Sequence, residues 1–202
     1  MQKVNLVILI AVCFWAAGSS AVTDPDPDML GIYFDMTADE NCLTTGASIP
    51  FFAYLILTNP TSTTVSGYEF GLDLVVPAGM EGLLFRLADY TFGCGICMPP
   101  YVDPMGGDYI VGLASPRPTE PATILHVWQY MLLSVFPVEY YLHATFDPLI
   151  PGDLPIVQVE DDALMQVGLS TGGPDIPVAT VNTDCVVAAE ELSLSRIKAL
   201  YR

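Results

Sequence analysis

The chain has 202 residues and a formal net charge of −17, with 52% apolar and only 14% charged positions. Such an excess of carboxylate excludes nucleic acid and anionic membrane as partners, because both would repel it. The 17 Pro and 16 Gly, set among many Val, Ile, Tyr and Phe, favour short strands and turns over long helices.

At the N-terminus Lys3 precedes an apolar run from Val4 to Ala17, followed by Gly18-Ser19-Ser20-Ala21. These are the three parts of a secretory signal, expected to be cut after Ala21. The apolar run is shorter than the ~20 residues a bilayer span requires, and Asp24-Pro25-Asp26-Pro27-Asp28 follows it in place of a basic stop-transfer flank. Cys13 comes too early in the run for a lipoprotein site. The expected organisation is a signal peptide over 1–21, one domain over 22–187 and a tail over 188–202. No later segment is long and apolar enough for a membrane helix, so a secreted destination is expected: extracellular, cell surface or periplasm. Without Lys3 the remaining cations are Arg86, Arg117, Arg196, Lys198 and Arg202.

Within 22–187, apolar or alternating runs recur between turn residues. They predict strands at Leu30–Met36, Pro50–Thr58, Gly67–Val76, Leu83–Leu87, Tyr109–Ala114, Thr123–Val135, Val138–Phe146, Pro155–Val159, Leu164–Leu169 and Val178–Asn182. Loops are expected at Asn59–Ser66, Pro77–Gly82, Cys94–Asp108 and Pro116–Ala122. Short strands without intervening helices give an all-β class, an antiparallel β-sandwich of jelly-roll or Ig-like type with a short C-terminal helix. Alternation places Tyr68, Phe70, Leu72 and Leu74 on the core face.

Thr123–Val135 and Val138–Phe146 are joined by little more than Phe136-Pro137, which predicts a hairpin. Apolar matching then pairs Leu133 with Tyr140 and Met131 with Leu142, with Leu125, Val127, Met131 and Leu133 on the core side. The opposite face gathers His126, Trp128 and Tyr130 beside Glu139, Tyr141 and His143. It holds both histidines of the chain and the tryptophan that survives cleavage. An aromatic strip with His and Glu suits stacking on a sugar ring or a partner's apolar surface. In this register His126 lies over ~12 Å from His143, too far for both to bind one zinc ion.

After Ala188 the pattern becomes helical: Leu194, Ile197, Leu200 and Tyr201 form a stripe. Glu190 and Glu191 lie near its start, and Lys198 and Arg202 near its end, as the macrodipole favours. The stripe is a candidate for docking on this domain or on a partner.

Cys42, Cys94, Cys97 and Cys185 are disulfide candidates in an exported chain. The preferred pairing is a local 94–97 clip with a 42–185 bridge, although three pairings are open to four cysteines. Zinc would need a second C-x-x-C pair. No cofactor is implied; a structural calcium would draw on Asp103, Asp108, Asp161 and Asp162, but no EF-hand spacing is present. The chain contains no G-x-S-x-G, H-E-x-x-H or Walker motif, so the reading is non-catalytic. Glu160, Asp161 and Asp162 are the carboxylates a glycan hydrolase would use.

The run from Ile49 to Pro60, Ile-Pro-Phe-Phe-Ala-Tyr-Leu-Ile-Leu-Thr-Asn-Pro, followed by Val65 to Leu74, Val-Ser-Gly-Tyr-Glu-Phe-Gly-Leu-Asp-Leu, resembles the opening strands of cohesin-like extracellular modules. These β-sandwiches are related in shape to carbohydrate-binding modules. The chain also resembles secreted proteins of environmental bacteria that end in a helix-like tail such as Arg196–Arg202. The resemblance implies a binding or scaffolding role toward an extracellular protein or glycan. A self-associating subunit of a surface layer or filament is the first alternative, and a glycan-active hydrolase the second.

Overall fold

The computed structural model describes residues 25–91, 94–98 and 105–183, with side chains omitted for 94–98. The expected signal peptide over 1–21, Asp103, Cys185 and the 188–202 tail therefore lie outside the described residues, as do the side chains of Cys94 and Cys97.

Among the described residues thirteen strands form two facing sheets. They are β1 (Met29–Tyr33), β2 (Cys42–Leu43), β3 (Pro50–Thr58), β4 (Thr64–Val75), β5 (Leu84–Thr91), β6 (Cys94–Met98), β7 (Gly106–Pro118), β8 (Ala122–Leu132), β9 (Val138–His143), β10 (Ile156–Gln158), β11 (Leu164–Gln166), β12 (Gly168–Leu169) and β13 (Ala179–Val181). The first sheet has the order β12-β1-β3-β8-β5. The second runs β11-β10-β4-β9-β13-β2, with β7 also paired to β4 and β6 to β7. Most pairs are antiparallel, as expected, but β1–β12 and β13–β2 are parallel, so both sheets are mixed. Among the described residues the only helical turns are the 3-10 segments Glu81–Leu83 and Glu160–Asp162.

The core lies between the sheets. Tyr68, Phe70, Leu72 and Leu74 of β4 all face it, as their alternation requires, together with Leu55 and Leu57 of β3 and Tyr140 and Leu142 of β9. Burying a side chain of this size contributes about 1.5–3 kcal/mol, which makes β4 the spine of the second sheet.

Two expectations are corrected. β8 and β9 do not form a hairpin: β8 pairs with β3 and β5 in the first sheet, whereas β9 pairs with β4 and β13 in the second. The segment 133–137 carries the chain from one sheet to the other, with Phe136 buried beneath the crossing. Past Leu125, which is in the core as expected, the inward face of β8 is also the opposite of the one predicted. Trp128, Tyr130 and Leu132 pack in the core, while a bulge beside Leu125 resets the alternation. In addition, β6 falls where a loop was expected, β2 lies outside every predicted strand, and the predicted strand Leu164–Leu169 divides at the buried Val167, whose N–H donates to the Pro155 carbonyl (3.0 Å).

Candidate functional site

The strand registers determine which side chains share the outer surface of the first sheet. Inward Trp128 and Tyr130 leave Val127, Gln129 and Met131 pointing outward on β8. Across the ladder, Tyr54, Phe52 and Pro50 of β3 oppose them on one side. Tyr90, Ala88 and Phe85 of β5 oppose them on the other, with Leu87 displaced at a bulge. No outward position in these three strands is charged, in a chain with 23 acidic residues.

One end of this face is covered. Tyr33, Ala38, Ile56, Ile124 and Val127 form a second, smaller cluster under the 34–41 loop. The Asp35 carboxylate holds that loop by accepting from the Asp39 and Glu40 N–H groups (3.0 and 2.8 Å). The other end is open, and Phe52, Phe85, Leu87 and Tyr90 are each 41–50% exposed. The Phe52 and Tyr54 rings lie 6.2 Å apart. A contiguous, uncharged aromatic patch of this kind marks an interaction surface.

Directly beneath it, inside the sandwich, runs a polar chain. Trp128 Nε1–H donates to Tyr109 Oη (2.9 Å), as does Arg86 Nη1, and Tyr109 Oη donates onward to Asp89 Oδ2 (3.4 Å). His126 Nε2 contacts Asp89 Oδ1, and its Nδ1 lies 3.2 Å from Tyr68 Oη and 3.3 Å from Thr91 Oγ1. A carboxylate only accepts, so the His126–Asp89 contact assigns the Nε2 proton. Phe70 stacks on Tyr109 at 4.6 Å. Burial pushes the Tyr68 and Tyr109 hydroxyls above their ordinary pKa. The side chains of Arg86 and His126 are 4% and 1% exposed and that of Asp89 33%, so this network joins β5 to β8 and β7 and meets solvent at Asp89.

The six ligand-binding candidates therefore do not meet. His126, Trp128 and Tyr130 are core residues, because the expected hairpin face is the sandwich interior. Glu139, Tyr141 and His143 point outward from the opposite sheet. There Tyr141 Oη donates to Glu139 Oε2 (2.8 Å), and His143 Nε2 lies 3.2 Å from Asp73 Oδ2. The carboxylates considered for calcium are also dispersed. Asp108 accepts from the Phe146 N–H and Asp162 from the Gln158 amide, each at 3.2 Å. Among the described residues no three His, Cys, Asp or Glu side chains are grouped to hold a metal.

Sequence reading missed the outer face of the first sheet. Its signal was available in Pro50–Thr58 and Thr123–Val135, where both alternation parities are apolar and one set must face away from the core.

No protein-family model and no curated protein matches the chain. Solved structures do. A type II cohesin domain from the cellulosome of Acetivibrio cellulolyticus aligns over 81% of this chain and 100% of its own, with 14% identity and a TM-score of 0.54. A type II cohesin dyad from an adaptor scaffoldin of the same organism aligns over 78% of this chain and 49% of its own, with 12% identity and a TM-score of 0.50. The chain has a cohesin-like β-sandwich fold.

Proposed function

We propose that the chain is a secreted, non-catalytic module that binds an extracellular protein through the outer face of its first sheet. The observation behind this reading is the open patch of Phe52, Phe85, Leu87 and Tyr90, which has no charged residue at any outward position of β3, β8 or β5. Aromatic side chains on a rigid sheet suit protein docking, since they contribute large contact area with little conformational entropy to lose. The cohesin-like fold supports the reading, because the similar structures come from a cellulosome and an adaptor scaffoldin. Burial takes Trp128 off the surface on which it was expected to stack against a glycan. Cys42 is disulfide-bonded and lies 3.9 Å from the Thr183 carbonyl, so Cys185, two residues further on, is the partner we assign to it.

The test is affinity capture from the producer's extracellular fraction with the immobilised mature protein and its Phe52→Asp/Tyr90→Asp variant. Both positions are exposed, so the variant keeps the wild-type unfolding midpoint. It loses a captured protein by at least about tenfold, the cost of placing charge in an apolar contact. A captured set identical for both proteins, or retention by polysaccharide alone, overturns the reading.

A further inference from the structure

The second sheet has an outward groove of its own. Lateral rows Leu164–Gln158–Gly67–Gly112 and Gln166–Ile156–Glu69–Ile110 cross β11, β10, β4 and β7. Gly67 and Gly112 leave the floor bare: a Cβ on Gly67 would lie 2.9 Å from the Val111 carbonyl. The result is a trough of about 230 Å³ walled by Ile110, Leu164 and Leu149. Leu149 is fixed there because Glu69, itself buried, accepts from the Thr145 hydroxyl and the Leu149 N–H (3.4 Å). Ile110, Leu164 and Leu149 are 41%, 40% and 65% exposed, and the nearby Phe146 is 96% exposed.

The surroundings are acidic. Gly71 lies between His143 and Asp108, and Asp73 between Tyr141 and Gly106. Asp73 and Asp108 therefore point outward along the path from β13 to the trough, with Glu139 beside β13. Both arginines of the described residues are engaged elsewhere, Arg86 at Tyr109 and Arg117 at the Ile124 carbonyl. All the other cations after Lys3 are Arg196, Lys198 and Arg202, interleaved with Leu194, Ile197, Leu200 and Tyr201.

We propose that residues 188–202 of the same chain dock along this sheet, with Leu200 and Tyr201 in the trough over Gly67 and Gly112 and the preceding cations over Asp73 and Asp108. The reach is sufficient. β13 lies two strands from β4 in the same sheet and its Val181 is level with the end of β4, which puts the trough roughly 30 Å away. With Cys185 held at Cys42 beside β13, residues 186–187 extend ~7 Å and a helix over 188–202 adds ~22 Å, which brings its last turn to the trough. Docked there, the tail lies on the sheet opposite the uncharged face and leaves that face free.

The experiment uses the full mature chain with a benzophenone photocrosslinker replacing Tyr201, at low salt, with adducts mapped by mass spectrometry. Adducts are expected within the monomer, on 106–112, 145–150 and 156–166. Tail reversal Arg196→Glu/Lys198→Glu/Arg202→Glu leaves the domain untouched and lowers their yield by about tenfold or more. Leu164→Asp does the same through the groove. Adducts on the Phe52–Tyr90 face, adducts found only in covalent dimers, or a yield indifferent to both variants would overturn the proposal.

Discussion

Tyr130 and Tyr140 meet edge to face in the core, ring centroids 5.9 Å apart. Among the described residues neither hydroxyl has a hydrogen-bond partner. A buried hydroxyl left unpaired costs about 1–3 kcal/mol, so Tyr130→Phe and Tyr140→Phe should be neutral or raise unfolding stability by up to ~1 kcal/mol in urea titration. Loss of more than that would show that the hydroxyls are satisfied. The same burial holds the Tyr68, Tyr109, Tyr130 and Tyr140 pKa values above the ordinary 10.0. The sign follows from linkage: the unfolded chain ionises first as pH passes the ordinary value, so stability is intact below it and falls above it. Tyrosinate absorbance and loss of folded signal should therefore rise together in alkaline titration. Ionisation of these groups in a still-folded chain would contradict this.

At the scale of elements, the β3–β4 connection is clamped from a distance. The Glu160 carboxylate accepts from the Thr63 hydroxyl and N–H and from the Thr64 N–H (2.8 Å). These bonds, the Thr63 hydroxyl foremost, lower its pKa from 4.5 to about 2. The stabilisation is thus present above the ordinary carboxylate value and is lost as pH falls toward about 2. Amide exchange at Thr63 and Thr64 should quicken over that window, and in Glu160→Gln it should be fast at neutral pH; unchanged exchange in the variant would refute the clamp. Element positions were legible wherever one alternation parity was apolar: β3 matches its predicted bounds, and the inward residues of β4 and β9 are those expected. β8 was misread because Val127 and Met131 are as apolar as Trp128 and Tyr130, so periodicity left its inward face undetermined. That ambiguity was itself the trace of an apolar outer surface. The two-residue strand β2 depends on its long-range parallel partner β13, which no local pattern encodes.

Over the whole molecule, charge opposes compaction. With −17 net charge, raising sodium chloride from ~0.01 to ~0.15 M shortens the Debye length from ~30 to ~8 Å. Relief of self-repulsion should then add roughly 1 kcal/mol, or ~2–4 °C in the unfolding midpoint. A midpoint that falls with salt would mean that ion pairs, not repulsion, dominate. Fold class followed from composition and strand rhythm, whereas the site did not. The uncharged apolar outer face is created when β3, β8 and β5 come side by side, and no single segment displays it.

The arrangement around Trp128 has a spectroscopic consequence. Apart from Trp15 near the N-terminus, this indole is the chain's one tryptophan; it is fully buried, bonded to Tyr109 Oη and 4.6 Å from the His126 ring. Its fluorescence will emit to the blue in the native state and shift red on unfolding. A single intrinsic chromophore at the centre of the sandwich therefore reports the integrity of the core.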